Sequence, residues 1–305
     1  MSKILEVINL SVLIKDRFLV KNVSFSLEQG QCLAIVGEDR SGKTSVIKAI
    51  TGSLPVTEGQ IYFDGNDETK NTAHLKNVGV CLDPPVFFKY QSVYENLTYL
   101  TRFNDKLSKS DIVEALRKVG LAHKAKTKVL FLSYYEKKLM SLALAFLFQP
   151  KLLLLDEPFK NLPEDYCKMI KNHLKTLQLS GTSILISTQN LELVEDIAEK
   201  FILMENRQIR EILDNKECEN YLSDKNFAFV QVKYPNYVGK IVFEKFDLRV
   251  KLLGNKVLFD ADEDQTAKIV KHLTLNKIPI FKAGFLNKKT EQIFANLTPY
   301  FKEGE

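Results

Sequence analysis

The octapeptide Gly37-Glu38-Asp39-Arg40-Ser41-Gly42-Lys43-Thr44 fits the pattern GxxxxGK[ST], and its flanks decide what it means. Before it lies a compact apolar run, Cys32–Val36, and after it Ser45–Ile50 has helical spacing. Strand, loop and helix in that order make a P-loop unit. Its glycines let the backbone wrap phosphate, with successive N–H groups and the helix N-terminus facing the anion. Lys43 then adds a point charge on the β/γ-phosphates, and Thr44 offers a hydroxyl to Mg²⁺.

An acidic partner follows downstream. Leu152–Leu155 is too apolar to be anything but a core strand, and it delivers Asp156 and Glu157 to its exit. Adjacent carboxylates point to opposite sides of a strand end, so Asp156 suits Mg²⁺ held through water and Glu157 suits the attacking water. A third apolar run, Thr182–Ser187, precedes a segment with helical spacing, Leu191–Lys200. Short branched strands separated by helical segments predict a buried parallel sheet with helices on its faces, an α/β P-loop NTPase core. The short runs from Ile4 to Phe25, broken by Lys15-Asp16-Arg17, predict a flanking antiparallel β-ribbon. Val86 to Gln149 reads mostly helical, as a subdomain inserted between the first and second core strands.

Beyond about Asp214 the pattern changes, and two domains are expected, residues 1–214 and 215–305. The second reads as a small α+β domain. Phe227–Lys233, Gly239–Phe243, Arg249–Leu253, Val257–Asp260 and Ile278–Ala283 resemble strands, and Gln265–Thr274 and Thr290–Leu297 resemble helices.

The longest apolar stretches, such as Ser141–Phe148, fall far short of the roughly 18–20 residues that cross a bilayer. The N-terminus does not read as a secretory signal, so a cytosolic chain is expected. Cys32, Cys81, Cys167 and Cys218 lack metal or redox spacing and are expected to be buried thiols. His74, His123, His173 and His272 stand far apart and are expected to be structural. The net charge of +5 is spread in mixed-sign segments, so no nucleic-acid partner is expected.

The segments FLVKNVSFSLEQGQCLAIVG, GKTSVIKAITGSLPVTEGQIYFDG and QPKLLLLDEP resemble the ATP-binding domain of ABC transporters, over roughly residues 3 to 214. The length, VGVCLDPPVFFKYQSVYENL and the C-terminal KKTEQIFANLT are similar to ATPases of the bacitracin and lantibiotic exporter type. The resemblance implies an ATPase that binds MgATP through Gly37, Asp39, Ser41, Gly42, Lys43, Thr44 and Ser45, with Ile14 at the adenine-stacking position and Phe18 as its nearest aromatic substitute. Metal contacts then fall to Thr44, Asp156 and Asp83, the last standing where most relatives carry the Q-loop glutamine. Catalytic roles fall to Glu157, Lys43 and Gln189, which takes the place of the family's switch histidine.

Other departures cluster by role. The signature LSGGQ is represented by Leu132-Ser133-Tyr134-Tyr135-Glu136, and the D-loop reads Leu162-Pro163, without its aspartate. Groups that bind MgATP within one chain are kept, whereas those that complete the site across a dimer are altered. The resemblance implies a slowly hydrolysing subunit, homo- or heterodimeric, peripheral on the inner face of the membrane and coupled to a separate permease that exports an antimicrobial peptide or similar substrate. The aromatic cluster Phe87, Phe88 and Tyr90 lies where relatives meet that permease. Two alternatives stand beside it: a nucleotide-gated regulatory partner with little hydrolysis, and an ABC protein acting in translation or DNA repair.

Overall fold

The computed structural model describes residues 2–69, 77–102, 107–215, 227–248, 250–253 and 255–285. The chain divides into two compact units, Met1–Asn215 and Lys216–Glu305.

In the first unit the N-terminal ribbon is present. Strands β1 (Lys3–Ile14) and β2 (Arg17–Glu28) pair antiparallel, and β4 (Glu58–Phe63) and β5 (Asn66–Asp67) extend the sheet in the order β2-β1-β4-β5. Lys15 and Asp16 both take positive φ, 48° and 60°, the backbone twist that a two-residue hairpin turn needs.

The second sheet carries the chemistry. Its strands are β3 (Cys32–Val36), β6 (Val78–Cys81), β7 (Leu152–Asp156), β8 (Ser183–Thr188), β9 (Lys200–Glu205) and β10 (Gln208–Asp214). They lie in the order β10-β9-β3-β8-β7-β6, parallel except for the β9-β10 hairpin. The strands β3, β7 and β8 are buried at every position, which is why they read as continuous apolar runs rather than alternating ones. Helix α1 (Lys43–Ile50) follows β3 and buries Val46, Ile47, Ala49 and Ile50. Helices α2 (Val93–Thr101), α3 (Lys109–Lys118) and α4 (Tyr134–Leu147) lie between β6 and β7, and α5 (Glu164–Leu179) joins β7 to β8.

Two details differ from the sequence reading. A core strand, β6, precedes the helical insertion, so the insertion lies between β6 and β7. With four residues, one of them Gly79, it carries little strand signal. The expected helix Leu191–Lys200 is a 3-10 turn at Leu191–Leu193 followed by mixed bonding, and its last residue opens β9. Val194 N–H donates to Leu191 and Ile197 N–H to Val194, while Ala198 N–H also donates to Val194. The buried residues Leu191, Val194 and Ile197 recur every three positions, the period of the tighter helix.

The second unit is α+β. Strands β11 (Phe227–Val232), β12 (Val250–Leu253), β13 (Lys256–Asp260) and β14 (Ile280–Phe285) form an antiparallel sheet in the order β12-β13-β11-β14. Helix α6 (Pro235–Phe246) follows β11, and α7 (Glu263–Leu275) follows β13, giving a β-α-β-β-α-β unit. The segment Gly239–Phe243, read as a strand, lies within α6. Pro235 opens that helix, and Val238 and Val242 bury one face at a four-residue spacing, so helical periodicity wins over the β-branched composition. The expected helix Thr290–Leu297 lies outside the described residues, as do His74 and Cys218.

Candidate functional site

The carboxyl ends of β3, β7 and β8 converge on one cleft. Register pairs Val36 with Thr188 and Asp156 with Ser187, so the P-loop, both carboxylates and Gln189 leave the sheet at one level. Ligands of open α/β sheets bind at such ends. The cleft measures about 350 Å³ and is walled by Asp39, Gly42, Lys43, Thr44, Ser45, Asp83, Glu157 and Gln189 among others.

Steric room dictates the loop's glycines. A Cβ on Gly37 would lie 2.4 Å from the Met204 carbonyl oxygen and 2.6 Å from Ser41 Oγ. Gly42, at φ 109°, is the N-cap of α1 and provides no side-chain cap, so the first N–H groups of the helix remain available to an anion. Lys43 is buried, and its Nζ donates to the carbonyls of Gly37 at 2.7 Å and Glu38 at 2.8 Å.

The acidic side is built by shared partners. Thr44 Oγ1 donates to Asp156 Oδ1 at 3.0 Å, and Ser187 Oγ donates to the same oxygen at 2.5 Å. Asp156 Oδ2, Glu157 Oε1 and Ser41 Oγ are buried without a hydrogen-bond partner. Three orphaned oxygens at a phosphate loop fit a hydrated metal and an anion, since such atoms are costly if left unmet. Glu157 Oε1 lies 3.9 Å from Lys43 Nζ, and Gln189 N–H donates to Glu157 Oε2 at 3.4 Å. Burial raises the Glu157 carboxyl above its ordinary range, opposed by Lys43. Burial likewise lowers Lys43, opposed by Glu157, Asp39 and Asp156. Gln189 Nε2 donates to Asp39 Oδ1 at 2.5 Å, tying the switch position to the P-loop.

The family description "ABC transporter" matches residues 20–160. A putative ABC transporter ATP-binding protein, PH0132 of Pyrococcus horikoshii, is 31% identical over 209 residues, covering 67% of this chain and 80% of that protein. The chain belongs to the ABC transporter ATP-binding family. An uncharacterized ABC transporter ATP-binding protein of Bacillus subtilis, YhcH, is 26% identical across 99% of this chain and 98% of its own length, so the similarity spans the second unit too. The lantibiotic transport ATP-binding protein SrtF of Streptococcus pyogenes is 29% identical over 64% of this chain and 84% of its own. Among solved structures, the ADP conformation of MJ1267, an ATP-binding cassette of an ABC transporter, superposes with a TM-score of 0.62 at 27% identity, covering 73% of this chain and 96% of that one.

In this ABC ATP-binding subunit the residues at the expected signature and D-loop positions can be placed. Ser133 caps α4, accepting from Glu136 N–H, and Glu136 Oε2 accepts from Ser133 N–H at 2.8 Å, a capping box. Glu136 also pairs with Lys124 at 3.5 Å. Although burial works to raise its carboxyl, the bonds from Ser133 and the Lys124 charge hold it below the ordinary range. Tyr134 donates its hydroxyl to Asp83, and the Tyr135 ring packs 5.9 Å from that of Tyr166 on α5. Both signature tyrosines are therefore engaged by their own chain. At the D-loop, Pro163 serves as N-cap of α5 without a side-chain bond.

Strand parity decides which β2 side chains reach the cleft. Arg17 and Leu19 lie two apart on β2 and both line the cleft, whereas Phe18, between them, lines a separate groove with Ile8, Asn9 and Lys21. Ile14 pairs with Arg17 across the hairpin but is not among the lining residues. No aromatic ring lines this cleft among the described residues. A base reaching this end would meet an aliphatic chain and the face of a guanidinium, and neither stacking surface selects adenine over guanine. GTP is accordingly expected to displace ATP with an affinity within about threefold, as checked by competition binding.

Sequence reasoning missed the cations of the rim. Arg17, Arg40, Lys160 and Arg207 line the cleft together with Lys43. Arg17 opens β2 and the other three come from separate loops, and no spacing links them. The described cysteines, Cys32, Cys81 and Cys167, are buried as expected, and burial pushes the Cys81 thiol up to about 11.

Proposed function

We propose that this ABC subunit binds MgATP in the cleft and hydrolyses it slowly, with Glu157 acting on the attacking water. The convergence of Lys43, Thr44, Asp156 and Glu157 around buried, unpartnered oxygens carries the reading. Thr44 and Asp156 would hold Mg²⁺, which neutralises charge on the β- and γ-phosphates. Lys43 leaves its carbonyl partners for the phosphates, while Gln189 hydrogen-bonds the γ-phosphate end and holds Glu157 through its N–H.

The proposal extends to a separate permease and a dimer, with the subunit peripheral on the inner face of the membrane. No described helix is long and apolar enough to cross a membrane. Phe88 and Tyr90 are exposed and Phe87 is half-buried. Val86 and Phe131, 86% and 71% exposed, add to this apolar patch, whose two segments are joined by the bond from Leu130 N–H to the Lys89 carbonyl. Such a patch fits a protein contact. Similarity to SrtF supports an antimicrobial peptide as the exported substrate.

The second reading, a regulatory partner with little hydrolysis, is favoured by the engagement of Tyr134 within its own chain. A binding isotherm and a steady-state rate for the purified chain, alone and with its permease, test both. Binding with slow turnover is expected, binding with none at any partner ratio favours the second reading, and no binding overturns both.

A further inference from the structure

Helix α4 sends a buried cation under the nucleotide cleft. Lys138 is fully buried, and its Nζ donates to the Glu157 carbonyl at 2.7 Å and pairs with Asp83 Oδ1 at 2.9 Å. One turn earlier in the same helix, Tyr134 donates its hydroxyl to the same Asp83 oxygen, and its ring lies 5.4 Å from Lys138 Nζ. A buried ammonium is costly unless paired and hydrogen-bonded, and here both conditions hold. Asp83 lines the cleft alongside Lys43, Thr44 and Glu157. A bare carboxylate there would add a like charge beside a triphosphate, poorly screened by the protein around it.

We propose that Lys138, seated by Tyr134, is a positioning residue that neutralises Asp83 and anchors the backbone of Glu157, allowing a carboxylate to border the triphosphate. Asp83 then serves as half of a neutral pair and not as a metal ligand. Tyr134, occupying a signature position, ties the start of α4 to the catalytic strand end of its own chain. The Tyr134 phenol is accordingly held above its ordinary range, by burial first and by Asp83 next.

The inference rests on the MgATP reading, and a charge-swap cycle on the full chain separates the two. Lys138→Met, Asp83→Asn and the double variant are compared with wild type by MgATP binding and by melting of the nucleotide-free protein. Lys138→Met is expected to raise the MgATP Kd by at least about tenfold, because it leaves Asp83 uncompensated. Asp83→Asn is expected to lower the melting temperature by stranding the cation, and its own MgATP Kd is the baseline against which an added Lys138→Met is read. The double variant recovers both to near wild type, within about threefold in Kd.

A Lys138→Met loss that Asp83→Asn fails to rescue overturns the inference. If Lys138→Met does not fold, Tyr134→Phe carries the test. It should raise Kd by about threefold in the wild-type background and not at all beside Asp83→Asn. Equal effects in both backgrounds overturn the inference. Failure of wild type itself to bind overturns the reading beneath it, and shows in a separate isotherm.

Discussion

Glu157→Gln is expected to lower MgATP turnover by about 10²- to 10⁴-fold while leaving the MgATP Kd within about threefold. The side chain leaves β7 at the level of the phosphate loop, and its Oε1 has no hydrogen-bond partner. Glutamine keeps the shape and can still accept from Gln189 N–H, so what is lost is the negative charge facing Lys43 and with it the ability to take a proton. The same group sets a pH dependence. Burial raises its pKa, and it works only as the carboxylate. The kcat/KM should therefore fall as pH drops through the raised value of the free protein, beginning above the range of an ordinary glutamate. A kcat/KM profile across acidic pH checks this, and undiminished turnover by the glutamine variant would falsify the assigned role.

Lys43→Ala should raise the MgATP Kd by roughly 30- to 1000-fold, the equivalent of about 2–4 kcal/mol from losing charge-assisted contacts to phosphate. Nζ is held by two carbonyls of its own loop, so the side chain is already ordered beside the cleft and little rotamer freedom is lost when it turns to the phosphates. Alanine also removes the counter-charge 3.9 Å from Glu157, which should push that carboxyl further up. Lys43→Met, which keeps most of the stem, separates lost packing from lost charge: both variants should lose binding, and only alanine should lower the melting temperature markedly. Calorimetric titration with parallel melts decides the matter. Retained affinity in both variants would mean that the phosphates are not held by this loop.

The core was legible because its central strands β3, β7 and β8 are buried on both faces and each motif sits at a strand end. Leu152–Leu155 announces both its burial and its exit into Asp156-Glu157. What escaped notice did so for local reasons. Strand β6 is too short and carries Gly79, while Gly239–Phe243 shows the branched composition of a strand within a segment that has the spacing of a helix. Phe18 looked like an aromatic near the base, and only the alternation of β2 turns it away from the cleft. Lys138 was hardest of all. Within Glu136-Lys137-Lys138 no motif or spacing marks it, and only the folding of α4 against β6 reveals a buried ammonium. Tyr134 and Glu136 read as departures from the signature, yet both have partners within the chain.

Because side chains on a strand alternate, the matching of Asp156 to Ser187 and of Val36 to Thr188 makes this sheet intolerant of changes in length. One residue inserted within β7 would rotate Asp156 and Glu157 to opposite faces and separate the oxygen that Thr44 and Ser187 share. An insertion at the exposed Lys15-Asp16 turn meets no such constraint. Drift in length, tagging and circular permutation are therefore open to this chain only between its elements, while the ends of three adjacent strands must keep step to the residue.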